Sequence, residues 1–152
     1  MPRRPRKDNK LERMIVRHEG EELMPYTDTV GKLTIGVGRN LTDRGISREE
    51  SRYLFGRDVR IVQRELKTRL PLYTGLDEVR QAALVDLGFN MGLPTLMTFK
   101  KTLGFLGRGN YDAAADELLS GTGPNGESQY YLQVGARAEE ISEMLRTGEW
   151  QQ

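Results

Sequence analysis

The chain has 152 residues, and its 23 lysine and arginine residues against 22 aspartate and glutamate residues give a formal net charge of +1. So small a charge argues against a nucleic-acid partner, and the lack of cysteine together with a single histidine argues against a transition-metal site. No stretch approaches the ~20 apolar residues of a membrane-spanning helix. We therefore expect one globular domain over residues 1–152, without metal, cofactor or stable membrane association.

Residues 1–10 are predicted to form a basic tail. They contain five basic residues and one acidic residue, and no apolar run follows them, so the segment is not typical of a secretory signal peptide. An isolated charged run of this kind is usually solvated and has no specific partner. Weak attraction to an anionic polymer of the cell envelope is the functional alternative.

A small first lobe is predicted over residues 11–50, and it begins with a helix. Apolar residues recur at three- and four-residue spacing from Leu11, and Gly20 is a typical stop signal at the end of the same segment. The pattern predicts an amphipathic helix that ends at this glycine. Glu19 is therefore expected in the last helical turn.

A short β-hairpin is predicted next, over residues 25–37. Residues 29–32 have the composition of a turn, and apolar residues alternate with small or polar residues beyond it. This places Asp28 at the turn and Thr34 on a strand. A sheet built from so few residues is expected to be small.

The rest of the chain is predicted to be helical. Ser47 and Glu50 have the spacing of a capping box and open a helix of about residues 47–69, which joins the first lobe to a second lobe over about 70–152. Glycine and proline residues separate the helices of this second lobe, which are predicted at residues 77–89, 99–106, 111–119 and 130–146. The expected fold is α+β, with a ligand cleft between the two lobes.

Glu19 and Asp28 are predicted to have the two environments that a glycoside hydrolase needs for its carboxyl groups. One carboxyl group must be protonated to donate to the leaving oxygen, and the other must be ionised to activate water or to attack carbon. The negative end of the helix dipole and apolar neighbours disfavour the charged form of Glu19, whereas the amides of a turn favour an ionised Asp28. A separation of about 6.5–9.5 Å between them gives inversion and about 5–5.5 Å gives retention, and the sequence leaves both open.

The chain resembles the T4-type phage lysozymes, glycoside hydrolase family 24. In that family a helix-terminal glutamate is followed nine residues later by an aspartate and six residues after that by a threonine, and Glu19, Asp28 and Thr34 reproduce both spacings. Longer segments match in the same order: the turn and Thr-Ile-Gly-x-Gly strand at 28–38, a helix ending in Phe-Asn-Met-Gly at 77–92, and the closing segment at 146–150.

The resemblance implies a lysozyme-like fold and a muramidase that hydrolyses, with inversion, the β-1,4 bond between N-acetylmuramic acid and N-acetylglucosamine in bacterial peptidoglycan. It implies that Glu19 is the general acid and that Asp28 and Thr34 position the attacking water. No cofactor is implied.

Three further residues take expected roles from the resemblance. Phe89 and Asn90 match residues that line the family's cleft and bind the sugar. Arg137 matches an arginine that pairs with the catalytic glutamate, so an Arg137 to Glu19 contact is expected.

The resemblance also implies a biological setting. A monomeric endolysin of this family accumulates in the host cytoplasm and reaches peptidoglycan through a membrane lesion made by a holin. A virion-borne lysozyme that penetrates the wall has the same chemistry, and both settings stay open.

The sequence departs from the family pattern in three places. Arg39 stands where the phage T4 protein has a histidine, and the aligned acid on the bridging helix is Asp58, so an Arg39 to Asp58 ion pair is expected. The loop at 40–47 is shorter, and residues 121–129 match poorly. Contacts to the glycan chain are therefore less well defined than the chemistry.

Each candidate residue also has a purely structural interpretation. Glu19 is then a surface acid, Asp28 a turn former and Thr34 an ordinary strand residue. Phe89 is then a core aromatic on a helix. Two other functions stay open as well: a lytic transglycosylase, which uses one carboxyl group and does not need Asp28, and a wall-binding module without catalysis.

Overall fold

The computed structural model describes residues 6–152, so the first half of the predicted basic tail lies outside the described residues. The chain divides into two compact units, of which the first ends at Tyr53 and the second covers Leu54–Gln152. The first unit contains α1 (Lys10–Glu19), β1 (Glu22–Thr27), β2 (Leu33–Gly36), β3 (Arg39–Asn40) and the start of α2 (Arg48–Arg69). The second contains the rest of α2, a 3₁₀ helix (Pro71–Gly75), α3 (Glu78–Met91), α4 (Leu93–Leu96), α5 (Lys100–Gly107), α6 (Tyr111–Leu119), α7 (Gln129–Val134) and α8 (Ala136–Thr147).

Helix α1 is defined by hydrogen bonds at its two ends. The Glu12 N–H donates to the Asn9 side chain over 2.9 Å, and the Asn9 N–H donates to the Glu12 carboxylate over 2.8 Å. This capping box satisfies N–H groups that a helix start leaves without partners. At the other end Gly20 has φ 77°, a backbone conformation that glycine adopts readily, and its N–H donates to the Val16 carbonyl. The predicted helix and its stop are confirmed.

The three strands form an antiparallel sheet in the order β1-β2-β3. Tyr26 lies opposite Thr34 across the first pair, and Ile35 lies opposite Arg39 across the second. A register shift between Glu22 and Tyr26 bends the outer strand. The small sheet predicted from the alternating pattern is confirmed.

The start of α2 carries the predicted capping box, and the acid of that box also binds Arg39. The Ser47 N–H donates to the Glu50 carboxylate over 2.7 Å, and the Glu50 N–H donates to the Ser47 hydroxyl over 3.1 Å. Arg39 donates to both oxygens of Glu50, over 2.9 and 2.7 Å, a partner that the sequence does not predict. Glu50 takes this role because its position in the capping box aims both carboxylate oxygens at the guanidinium fork. The expected pairing of Arg39 with Asp58 joins residues of different units and stays a prediction.

The second unit has a core of leucine and alanine side chains. Helices α6 and α8 pack against each other, and both carry fully buried alanines. Burying one leucine stabilises the fold by about 1.5–3 kcal/mol relative to an exposed one, before entropy is counted. The largest side chains that are fully buried include Leu66, Leu84, Leu87, Leu96, Leu106, Leu118 and Leu145.

The helix predicted over residues 130–146 is two helices in the structure. Helix α7 ends at Val134 and α8 begins at Ala136, because the Gly135 between them has φ 56° and ψ −121°. That conformation lies outside the helical region and is open to glycine. The apolar periodicity continues across the break, so the pattern alone predicts one helix.

The Arg80 side chain on α3 caps the C-terminal end of α8. Its Nε donates to the Leu145 carbonyl over 2.7 Å and its Nη2 donates to the Arg146 carbonyl over 2.8 Å. The same guanidinium lies 3.5 Å from the centre of the Tyr111 ring. Carbonyls that a helix end leaves without partners are thereby satisfied by a charged side chain.

Gly88 on α3 lies against Val62 on α2. A β-carbon added to Gly88 would lie 2.9 Å from the Val62 Cγ1, which is closer than real β-carbons approach other atoms. Val62 shares one stripe of α2 with the buried Leu66 and, seven residues earlier, with Phe55. The absence of a side chain at Gly88 therefore sets the contact between the two helices.

Candidate active site

Glu19 is the last residue of α1 and its side chain is exposed. The carboxylate lies over the main chain between β2 and β3: a β-carbon on Gly38 would be 3.9 Å from the Glu19 Oε2. Helix α1 has no buried residue, so Glu19 ends a helix that is largely solvent-exposed along its length.

Asp28 lies at the turn between β1 and β2 and is half-buried. Its Oδ1 accepts the N–H of Val30 over 3.0 Å and the N–H of Lys32 over 2.8 Å. Its own N–H donates to the Lys32 carbonyl over 2.9 Å. One carboxylate oxygen is thus fixed by the turn, while Oδ2 accepts no hydrogen bond from any residue between 6 and 152.

Thr34 is the one sheet residue that is buried, with 4% of its surface exposed. Its hydroxyl donates to the Lys32 carbonyl over 3.1 Å. The same carbonyl accepts the Asp28 N–H. The Thr34 hydroxyl therefore has its proton engaged and its lone pairs free to accept.

Lys32 connects the two predicted residues through its main chain, and sequence reasoning did not single it out. Its N–H and its carbonyl bind Asp28, and its carbonyl also binds Thr34. Its side chain points to a different partner, Asp43, at 3.0 Å. Because main-chain atoms make the connection, the residue type at 32 carries no signal of it.

Phe89 and Asn90 lie at the end of α3 in the second unit, and both are exposed. Phe89 has 44% of its surface exposed, whereas its helix neighbours Leu87 and Gly88 are buried. The interpretation of Phe89 as a core residue is therefore wrong. The ring packs edge to face against Phe55, with 5.7 Å between ring centres.

Arg137 is held by an acidic residue in its own unit. Its Nε and Nη2 each donate over 3.0 Å to one oxygen of Asp86, and this bond raises the pKa of Arg137 further. The nearby Tyr130 is buried, and burial with the Asp86 charge raises the pKa of its phenol to about 12. The expected contact with Glu19 joins residues of different units and stays a prediction.

The described residues contain neither a membrane-spanning helix nor a cluster of metal-binding side chains. No helix between residues 6 and 152 is long and apolar enough to cross a membrane. Within the same residues, no three or more histidine or acidic side chains are grouped so that they would hold a metal ion.

Comparison with known proteins identifies the family. Residues 16–140 match the family model described as phage lysozyme. The chain belongs to the phage lysozyme family. The match covers most of the chain and includes all six candidate residues, Glu19, Asp28, Thr34, Phe89, Asn90 and Arg137.

Three known proteins are similar to this chain over most of its length. Probable T4-type lysozyme 1 of Dictyostelium discoideum is 26% identical over 89% of this chain and 92% of that protein. Probable T4-type lysozyme 2 of the same organism is 27% identical over 91% and 94%. The pre-baseplate central spike protein Gp5 of Enterobacteria phage T4 is 28% identical over 89% of this chain but only 27% of its own length.

Membership in the phage lysozyme family supports a lysozyme activity, which makes peptidoglycan the substrate. The described structure has the α+β organisation expected from the resemblance, with a small three-stranded sheet followed by helices.

Proposed function

We propose that this protein is a muramidase that hydrolyses the β-1,4 bond between N-acetylmuramic acid and N-acetylglucosamine, with Glu19 as the general acid and Asp28 and Thr34 directing the attacking water. The observation that supports it best is the linkage of Asp28 and Thr34 through Lys32. Both side chains are held by the same main-chain segment, in the unit whose first helix ends with Glu19. The reaction needs two carboxyl groups in distinct environments.

In this mechanism the Glu19 carboxyl group gives its proton to the glycosidic oxygen as the bond from the anomeric carbon to that oxygen breaks. A water molecule attacks the anomeric carbon from the opposite face, so the configuration inverts. Asp28 takes the proton that the water loses, and the Thr34 hydroxyl accepts a hydrogen bond from the same water. The two products are a reducing sugar end and a free hydroxyl on the neighbouring sugar.

The free oxygen of Asp28 is suited to this role. Oδ1 is occupied by two main-chain N–H groups, which leaves Oδ2 to receive the proton. The turn interpretation and the catalytic interpretation of Asp28 are therefore compatible, because they use different oxygens. A fixed carboxylate loses little entropy when it engages the water.

Residues of the second unit are proposed to bind the glycan. The exposed Phe89 ring offers an apolar face to the C–H groups of a sugar, and the exposed Asn90 amide offers a donor and an acceptor to an N-acetyl or hydroxyl group. Together the lobes at about 11–50 and 70–152 with the helix between them would make one catalytic domain.

The test is hydrolysis of purified peptidoglycan by wild type, Glu19→Gln and Asp28→Asn, with the released ends identified by mass spectrometry. We expect reducing muramic acid ends from wild type and at least a hundredfold lower rate in both folded variants. Glu49→Gln is the matched control, since Glu49 is an exposed acid of the same unit. Anhydro ends, or full activity of Asp28→Asn, would instead identify a transglycosylase, and an inactive wild type would identify a wall-binding module.

The proposed setting is that of a monomeric endolysin, which accumulates in the host cytoplasm and passes a holin-type membrane lesion to reach the wall. Expression in bacteria should cause lysis only after the inner membrane is permeabilised. Lysis of intact cells by added protein would favour the virion-borne setting.

A further inference from the structure

Phe55 and Phe89 form an aromatic pair at the surface of the second unit. The two ring planes make an angle of 71° and the ring centres are 5.7 Å apart, which is an edge-to-face contact. Phe55 has 48% of its surface exposed and Phe89 has 44%. Pairs with this geometry are favourable beyond the area that they bury, so the contact restrains both rings.

The pair is exposed although it continues a buried contact between helices. Phe55 lies on the same stripe of α2 as Val62 and Leu66. Phe89 is the residue after Gly88, which lies against Val62. The other two phenylalanines, at 99 and 105, are partly buried and pack against the core. Phe55 and Phe89 are thus the phenylalanines that leave ring surface available to a ligand.

An edge-to-face contact covers at most one face of each ring. Phe55 therefore restricts the rotation of the Phe89 ring and leaves at least one Phe89 face uncovered by it. A hexose presents a row of C–H groups on one side, and such a row packs on an aromatic face. Restricting the ring before the sugar binds lowers the entropy that binding costs.

We propose that Phe55 is a positioning residue for glycan binding, which holds the Phe89 ring at the angle at which its face meets an N-acetylated sugar. The inference rests on the proposed function, because it names the support of a residue that the proposal places against the sugar. Phe55 itself takes no part in proton transfer. Its loss should weaken binding while leaving the chemical step unchanged.

The first experiment measures kinetics on soluble, uncrosslinked glycan strands. Phe55→Leu should raise KM about three- to tenfold with kcat unchanged, and Phe55→Tyr should restore KM because it keeps the ring. Tyr53→Leu is the matched control: Tyr53 lies two residues earlier on α2, has 51% of its surface exposed and is in no aromatic pair among the described residues. Equal kinetics for Phe55→Leu and Tyr53→Leu would overturn the proposal.

The second experiment detects the Phe89 ring directly, and its first part uses no Phe55 variant. The chain has four phenylalanines, so ring-labelled phenylalanine gives an NMR spectrum that single substitutions can assign. In Glu19→Gln protein, a tetramer of N-acetylglucosamine should shift the Phe89 ring signals, and it should shift them less when Phe55→Leu is added. Unmoved Phe89 signals at saturation, or no saturable binding, would overturn the proposal.

The two proposals fail in distinguishable ways. Continued hydrolysis by Glu19→Gln contradicts the proposed function, whatever happens at Phe55. Loss of hydrolysis in Glu19→Gln with wild-type KM in Phe55→Leu contradicts only the role of Phe55.

Discussion

The Asp28 carboxylate and the Thr34 hydroxyl are joined through the main chain of one residue, Lys32, whose N–H donates to the carboxylate and whose carbonyl accepts from the hydroxyl. Movement of the turn therefore displaces both side chains together. Four hydrogen bonds that are local in sequence fix the arrangement, so it forms with the hairpin itself.

Replacing Asp28 should separate its catalytic role from its structural one. Asp28→Asn keeps an oxygen to accept from Val30 and Lys32, so its free energy of unfolding should stay within about 1 kcal/mol of wild type. Its kcat should fall by about 10²–10⁴, because the amide cannot take a proton. Asp28→Ala loses both roles, and we expect chemical denaturation to show a further loss of about 1–2 kcal/mol. Equal stability of the two variants would contradict the hydrogen bonds of the turn.

Replacing Thr34 by valine removes the hydroxyl and keeps the shape. The Lys32 carbonyl still accepts the Asp28 N–H, so no buried acceptor is left unpaired and stability should change by less than about 1 kcal/mol. The kcat should fall by about 100-fold if the hydroxyl holds the water. Thr34→Ser should retain most activity, and Thr29→Val, in the exposed turn, serves as the control. A fully active Thr34→Val variant would leave Thr34 a strand residue only.

The ion pair between Arg39 and Glu50 should make the free energy of unfolding depend on pH in the acidic range. The Arg39 and Ser47 donors lower the pKa of Glu50 from 4.5 to about 2, so the folded state holds this carboxylate charged where the unfolded state protonates it. The contribution is complete above about pH 4.5 and is lost as the pH falls towards 2. Thermal unfolding of wild type and Glu50→Gln should differ near neutral pH and converge near pH 2. A difference that is constant with pH would contradict this assignment.

Replacing glycine by alanine should lower the free energy of unfolding at Gly88 on α3 and raise it at Gly56 on α2. At Gly88 the new methyl group meets Val62 at 2.9 Å, and overpacking of this kind costs about 1–3 kcal/mol. At Gly56, inside α2, the nearest atom is the flexible end of Arg60 at 3.7 Å, and alanine should stabilise the helix by about 0.5–1 kcal/mol. Chemical denaturation of both variants gives the comparison. Stabilisation by Gly88→Ala would mean that the helices can separate without cost.

Features that depend on neighbouring residues were predictable from the sequence. The helix that ends at Gly20, the turn at Asp28 and the capping box from Ser47 to Glu50 all follow from short-range patterns, and all three are confirmed. Their hydrogen bonds join residues at most four positions apart, so the residue types and their spacing are enough to predict them.

Features that depend on distant residues were not predictable in the same way. Arg39 pairs with Glu50, eleven positions away, and the same carboxylate accepts the Ser47 N–H of the capping box. The contact between Phe55 and Phe89 joins two helices and residues 34 positions apart, so no short-range pattern contains it. The exposure of Glu19 likewise depends on how α1 packs, which periodicity does not specify.

The bond from Arg80 to the end of α8 has a consequence for the order of folding during synthesis. It joins residues 65 and 66 positions apart, and α8 also supplies the buried Leu145. On the ribosome, α3 emerges long before these partners and cannot complete its packing until they follow. A nascent chain stalled before α8 should therefore be readily digested by protease, and the second unit should become resistant only when its last helix has been made.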